Sequence, residues 1–266
     1  MSSELFQHRA RKRFGQNFLH DAGVIHRILR AIAPKEGQHL LEIGPGQGAL
    51  TEGLVDSGAQ LDVIELDLDL IPQLKWRFGL KPNFRLHQGD ALKFDFATLP
   101  QAGEKLRVVG NLPYNISSPI LFHALEHAAA ISDMTFMLQK EVVDRMAAGP
   151  GSKVYGRLSV MLQAWCQVTS LFVVPPGAFR PPPKVDSAVV RLVPRDPATV
   201  GIADPQHFAH LVKAAFGQRR KTLRNALNGI VDEAGFAATG VRSDARAEQL
   251  EVADFIALAN ATATAA

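Results

Sequence analysis

Four residues, Asn111-Leu112-Pro113-Tyr114, have the types and the spacing for a demanding piece of chemistry. They follow the apolar run Leu106-Arg107-Val108-Val109-Gly110, which reads as a strand. An asparagine side-chain oxygen and a neighbouring backbone carbonyl, that of Leu112 or Pro113, accept the two hydrogens of one amino group. Pro113 has no N–H and stiffens the backbone that presents those carbonyls. Tyr114 supplies a flat face on which a nucleobase stacks. An amine held in this way is drawn out of conjugation with its ring toward sp³ geometry, as alkylation of that nitrogen requires. A plain turn after a strand uses the same residue types, so the quartet needs support from the rest of the chain.

That support starts at Leu40-Leu41-Glu42-Ile43-Gly44-Pro45-Gly46-Gln47-Gly48, an apolar strand running into a glycine turn and then a helix. Gly44, Gly46 and Gly48 allow the backbone to approach a ligand closely. A second run, Leu61-Asp62-Val63-Ile64, ends in Glu65, a carboxylate placed to hold two ribose hydroxyls. A third, Phe84 to Gly89, ends in Asp90, which suits the amino group of an adenine. A dinucleotide site expects G-x-G-x-x-G with its pyrophosphate on a helix N-terminus. Here the spacing is G-x-G-x-G with a proline inside, which suits S-adenosylmethionine, an adenosine without a pyrophosphate. Glycine loop, Glu65, Asp90 and Asn111 all fall at strand ends on the carboxyl edge of a parallel sheet, where open α/β folds bind ligands.

In these motifs the chain resembles the ribosomal RNA adenine dimethyltransferases, and within them the bacterial small-subunit type that dimethylates two adjacent adenines near the 3′ end of 16S rRNA. The similarity extends through Arg13-Phe14-Gly15-Gln16-Asn17-Phe18-Leu19, Met137 to Val142, Tyr155 to Val160, Phe179 to Ala188 and Phe216 to Asn225. The resemblance implies that Asn17 and Leu19 close over the cofactor, that Asn111 and its loop hold the target amine, and that 16S rRNA within the small subunit is the partner. The tail after Asn260, rich in Ala and Thr, matches nothing in that pattern.

The elements that must position these residues are legible as an alternation. An amphipathic helix is expected over 22–33, then strand 39–43, helix 48–56, strand 60–65, helix 68–77, and strands 84–88 and 106–110. Helix 120–129, strand 133–138, helices 140–147 and 156–165, strand 167–174, a Pro-rich loop and strand 187–193 follow. Such alternation predicts an α/β fold with a mostly parallel sheet, and the last two apolar runs, joined by a loop, predict an antiparallel edge hairpin, an ending similar to the Rossmann-like methyltransferase fold. Pro194, Pro197 and Pro205 mark a linker, beyond which 205–216, 218–228, 244–249 and 252–260 read as helices. The expected division is 1–196, the cofactor-binding domain with a basic N-terminal arm, and 197–266, a small all-α RNA-binding domain.

Charge distribution supports a polyanion partner. The net charge is only +3, but residues 1–30 carry six cations, Arg11, Lys12 and Arg13 among them, against two acids. Residues 205–230 carry five, including Arg219, Arg220, Lys221 and Arg224, and no acid. On the expected helix 218–228, Arg220 and Arg224 would share a face that follows a phosphate backbone. Phe179, before three prolines, either faces the target base or anchors its loop. The chain of 266 residues is 47% hydrophobic, with no apolar run long enough for a membrane span and no apolar segment that reads as a signal peptide. The single cysteine, Cys166, excludes an internal disulfide or a cysteine–zinc cluster and is expected as a buried helical hydrophobe. His123-Ala124-Leu125-Glu126-His127 fits a zinc-protease pattern, but it lies on a helix that must cover the sheet and lacks a third ligand, so no metal is expected. A cytoplasmic monomer is anticipated. Two rivals are a non-catalytic RNA-binding assembly factor and a large-subunit adenine methyltransferase of the antibiotic-resistance type. Intact glycines with Asn111-Leu112-Pro113-Tyr114 argue against the first, and the Pro-rich and Gln218-Arg219-Arg220-Lys221 stretches against the second.

Overall fold

A computed structural model describes residues 16–263 apart from Ala102 and Arg219. In chain order its elements are β1 Phe18–Leu19, α1 Ala22–Ile32, β2 His39–Ile43, α2 Thr51–Asp56, β3 Gln60–Glu65, α3 Ile71–Phe78, β4 Phe84–Gln88, β5 Leu106–Asn111, α4 Ser117–Glu126 and β6 Ile131–Gln139. Then come α5 Lys140–Ala147, α6 Arg157–Trp165, β7 Cys166–Val174, β8 Phe179–Arg180, β9 Ser187–Pro194, α7 Pro197–Val200, α8 Pro205–Ala215, α9 Leu223–Ala226, α10 Glu233–Thr239 and α11 Val252–Thr262.

Seven strands form one sheet in the order β4-β3-β2-β5-β6-β9-β7. β4, β3, β2, β5 and β6 run parallel, and β9 lies antiparallel to β6. β2 is buried at every residue, because helices cover both faces of a parallel sheet. From β2 the chain steps outward to β3 and β4, then returns to lay β5 on β2's other side. That reversal opens a crevice at the carboxyl ends of β2 and β5. The two strands approach closely there, since a Cβ on Gly110 would lie 2.6 Å from the Ile43 carbonyl oxygen. α1 seats Val24, Ile28 and Ile32 in the core and is capped by Asp21, whose carboxylate accepts the Val24 N–H at 2.9 Å.

Packing divides the chain into two compact units. One runs up to Val143 and takes in Thr169–Pro194, and the other comprises Asp144–Val168 and the chain from Arg195 on. This grouping starts the second unit earlier than the proline-marked linker at 197. α6 carries buried Leu158, Val160, Met161 and Leu162, and it packs with α8 and α11. The Tyr155 hydroxyl donates to the Leu250 carbonyl at 2.9 Å within the same unit. α8 is capped by Asp204, which accepts from Gln206 and His207 N–H, and Phe216 meets Phe255 with ring centroids 5.5 Å apart.

Several local expectations are revised. The helix read over 218–228 shrinks to α9, because the Leu223 and Arg224 N–H groups donate to the Ala245 and Ser243 carbonyls instead of starting a helix earlier. α10, capped by Asp232 and ended by Gly240 at φ 70°, and the short pair β1–β8 were not anticipated. Cys166 is buried at the start of β7, where burial pushes its thiol up to about 12.

Candidate active site

The crevice is a cavity of about 350 Å³ in the first unit. Its floor is the turn after β2. Gly44 and Gly46 sit at φ 66° and 58°, a region glycine enters without penalty. A Cβ on Gly46 would come within 3.2 Å of the Phe18 ring, so the absent side chain lets β1 lie over the turn. Gly48 does not line the cavity. At φ 83°, its missing Cβ makes room for Phe78 of α3, 2.8 Å from where that atom would stand, so it serves packing.

Glu65, at the end of β3, is buried and lines the wall. Its Oε2 accepts the Gly46 N–H at 3.2 Å and its Oε1 the Asp67 N–H at 2.8 Å, which ties the glycine turn to the loop after β3. Burial raises its affinity for a proton, partly offset by those N–H donors. Asp90, just past β4, also lines the cavity and accepts the Leu92 N–H at 3.0 Å. Glu42 was not singled out from the sequence as a site residue. It lies within the cavity wall, almost fully buried, and accepts a 2.6 Å hydrogen bond from the Thr51 hydroxyl. Burial pushes its carboxyl up to about 7, with Thr51 opposing and Glu65 adding to the shift. Read as one more member of an apolar strand, Glu42 betrayed its role only by being a carboxylate there.

On the opposite wall, Asn111 ends β5 and Tyr114 and Ile116 follow. The Asn111 Nδ2 donates to the Asn17 carbonyl at 3.2 Å, which joins the segment before β1 to the quartet. The Tyr114 hydroxyl shares a 2.7 Å hydrogen bond with Ser187 Oγ, which fixes the ring. The Leu112 N–H donates to Met137 of β6, and the Pro113 carbonyl accepts from Ile116 N–H. Asn17 and Leu19 line the cavity, and Gln16 Nε2 reaches Asp67 Oδ2 at 2.8 Å. The segment 16–19 therefore spans both walls through Asp67 and Asn111.

The structure thus gathers Asn17, Leu19, Gly44, Gly46, Glu65, Asp90, Asn111, Leu112, Pro113 and Tyr114 around one cavity. Phe179 does not join them. It pairs with Leu19 across β8 and β1 and is 2% exposed within the core, so a role facing a base is replaced by loop anchoring. Arg220, Lys221 and Arg224 are exposed in the second unit, but the continuous helical stripe is absent, and Arg224 pairs with Glu233 at 2.9 Å. Arg11, Lys12, Arg13 and Arg219 lie outside the described residues. His123 and His127 belong to no group of three side chains that could ligate a metal among the described residues. Nor is any helix among them long and apolar enough to cross a membrane.

The lining decides between the two nucleotide ligands. Among the described residues it contains the carboxylates Glu42, Glu65, Asp67 and Asp90 and no lysine or arginine. That set repels a pyrophosphate and suits a ligand with an adenosine, two ribose hydroxyls and positive charge. Such a cavity at the switch point of such a sheet defines an S-adenosylmethionine-dependent methyltransferase. The comparisons with known proteins agree. The model of the ribosomal RNA adenine dimethylase family matches residues 7–264. A ribosomal RNA small subunit methyltransferase A of Pseudomonas aeruginosa is 66% identical over 97% of this chain and 96% of its own. Among solved structures, a dimethyladenosine transferase from Plasmodium falciparum superposes with a TM-score of 0.77 at 27% identity, covering 91% of this chain and 95% of that one. The 23S rRNA methyltransferase ErmE gives 0.69 at 27%, covering 93% and 100%. The chain belongs to the ribosomal RNA adenine dimethylase family.

Proposed function

We infer that the protein transfers methyl groups from S-adenosylmethionine to the N6 amino groups of two adjacent adenosines near the 3′ end of 16S rRNA, giving N6,N6-dimethyladenosine and serving ribosome biogenesis. The observation that carries the chemistry is the facing of Asn111-Leu112-Pro113-Tyr114 and the carboxylate-lined wall across one cavity. The relative that is 66% identical over nearly its full length, and is named for the small subunit, favours that substrate over the large-subunit RNA of a structure matching at 27%.

Each residue then has a part. Glu65 holds the ribose hydroxyls, Asp90 the adenine amino group, and the turn at Gly44 and Gly46 lets the backbone pass close beside the ligand. The bound cofactor supplies an electrophilic methyl on sulfur. With Asn111 Nδ2 engaged by Asn17, the carboxamide oxygen is left to accept one hydrogen of the target amine. The Pro113 carbonyl already accepts the Ile116 N–H with one of its two lone pairs, and the Leu112 carbonyl, next to Asn111, is the acceptor for the other hydrogen. Tyr114, its hydroxyl held by Ser187, stacks its face on the extruded base. An alkylated aryl amine sheds its proton readily, so no strong base is needed and catalysis is mainly positioning.

Recognition of the RNA falls to contacts away from the cavity, since every extruded adenine presents the same amino group. The basic arm at Arg11, Lys12 and Arg13 and the exposed Arg220 and Lys221 are the candidates. The test is to incubate the protein and labelled cofactor with unmethylated small subunits and, separately, with large subunits. Label entering only the small-subunit RNA is expected. Label entering large-subunit RNA instead would overturn the substrate assignment, and none in either would overturn the enzyme.

A further inference from the structure

The histidines of the H-x-x-E-H pattern belong to no group of three ligating side chains among the described residues, yet they are not idle. α4 leaves the amine-holding loop directly: Ser117 Oγ donates to the Tyr114 carbonyl at 3.1 Å, and Ile120 lines the cavity. One turn on, the His123 ring N–H at Nε2 donates to the Phe94 carbonyl at 2.9 Å. At the helix end, His127 Nδ1 lies 3.4 Å from an Asp95 carboxylate oxygen. The fully buried Phe96 packs against both rings, with centroids 5.0 Å from His123 and 5.2 Å from His127. A third histidine, His87, meets Phe94 edge-on with ring centroids 5.1 Å apart and is itself held by buried Asp62.

The segment so gripped is the continuation of Asp90. Asp90 and Ala91 line the cavity, and Asp90 starts the 3₁₀ turn Ala91–Lys93 that leads into Phe94. The two walls of the cavity, Asp90–Ala91 and Asn111–Tyr114, are thus both fastened to α4. Histidine suits this place because one side chain supplies both a ring to pack on Phe96 and a donor for a carbonyl. A leucine would fill the space but leave the Phe94 carbonyl without its donor.

We propose that His123 and His127 are positioning residues that lock the Asp90 segment to α4 and so set the gap between the cofactor wall and the amine-holding loop. The proposal rests on the reading of this cavity as the site of methyl transfer. Neither histidine touches the reacting atoms. Their effect reaches the chemistry through the relative placement of donor and acceptor, where a shift of ~1 Å costs on the order of a hundredfold in rate.

The test compares wild type, His123→Leu and His123→Gln by titration calorimetry with S-adenosylhomocysteine and by hydrogen–deuterium exchange of peptides spanning 90–98 and 111–116. His123→Leu is expected to weaken binding about tenfold through the orphaned carbonyl and to speed exchange in both segments. His123→Gln keeps a donor of similar reach and is expected to restore both. A folded His123→Leu protein with wild-type affinity overturns the proposal, as does faster exchange at 90–98 alone. That last result would mean a local structural role. Should His123→Leu fail to fold, His127→Phe keeps a ring on Phe96 and drops the Asp95 contact. It is expected to weaken binding about threefold, and unchanged affinity and exchange there overturn the proposal equally. Wild-type protein that does not bind S-adenosylhomocysteine would instead reject the reading of the cavity, a separate result.

Discussion

Replacing Asn111 with alanine separates binding from chemistry. In the structure this side chain makes one hydrogen bond that matters to the ligand-free state, from Nδ2 to the Asn17 carbonyl at 3.2 Å. Losing a partly exposed neutral hydrogen bond costs about 0.5–1.5 kcal/mol, which caps the loss of cofactor affinity near tenfold. The carboxamide oxygen does different work. It accepts from an amine whose hydrogens grow more acidic as the nitrogen is alkylated, so the bond strengthens in the transition state. Preorganised groups of this kind are worth about 2.7–4 kcal/mol, a loss of a hundredfold to a thousandfold in kcat. Single-turnover methylation of small subunits at saturating cofactor measures the second effect, and calorimetry with S-adenosylhomocysteine the first. Asn111→Asp adds a control: it keeps an acceptor but places a carboxylate against the Asn17 carbonyl, so cofactor affinity falls more than in the alanine variant. Wild-type turnover in Asn111→Ala would refute the assignment of the amine acceptor.

Other outcomes follow from particular neighbourhoods. Glu42 has its carboxyl raised from 4.5 to about 7 in the fold, so the folded state holds the extra proton between those values. Stability is therefore highest below pH 4.5 as far as this group is concerned and declines until pH has risen through 7, by roughly 3–4 kcal/mol in total at ~1.4 kcal/mol per unit. Glu42→Gln keeps the Thr51 hydrogen bond and should flatten that slope in denaturant titrations of the ligand-free protein; an unchanged slope would place the titration elsewhere. Phe179→Ala should lower stability by about 3–5 kcal/mol, the cost of emptying a core site, and a stable variant with a selective RNA defect would restore the base-facing role. Neutralising Arg220, Lys221 and Arg224 together should lower the salt slope of subunit binding by about two units rather than three, since Arg224 is already paired with Glu233. Identical slopes would remove these residues from the RNA interface.

The strand ends that carry the site were readable because β3 and β5 appear as short apolar runs that stop at a polar residue, Glu65 and Asn111, while the more exposed β4 ends at Gln88 just before Asp90. What escaped was whatever depends on contacts distant in sequence. The Asn17–Asn111 hydrogen bond joins residues 94 apart, and nothing local in either segment announces it. β1 and β8 are two residues each, too short for any periodicity, yet their pairing is what buries Phe179. The stretch 218–222 has ordinary helical composition, but its successors give their N–H groups to the loop 243–245, and the helix begins only at Leu223. Gly48 looked like a ligand glycine because it sits in the motif, whereas its neighbour in space is Phe78. The two carboxylates read at strand ends, Glu65 and Asp90, do line one cavity together with the glycine turn, because each directly follows or ends a strand of the same parallel sheet.

The central claim is that this cavity dimethylates adenine at N6 within small-subunit RNA. It is tested most directly by digesting small-subunit RNA to nucleosides after reaction with the protein and S-adenosylmethionine, and weighing the products by mass spectrometry. The account predicts N6,N6-dimethyladenosine, mapping to two adjacent positions near the 3′ end of 16S rRNA and lost in Asn111→Ala. Methylation confined to another base, to ribose, or to an adenine ring nitrogen would contradict it.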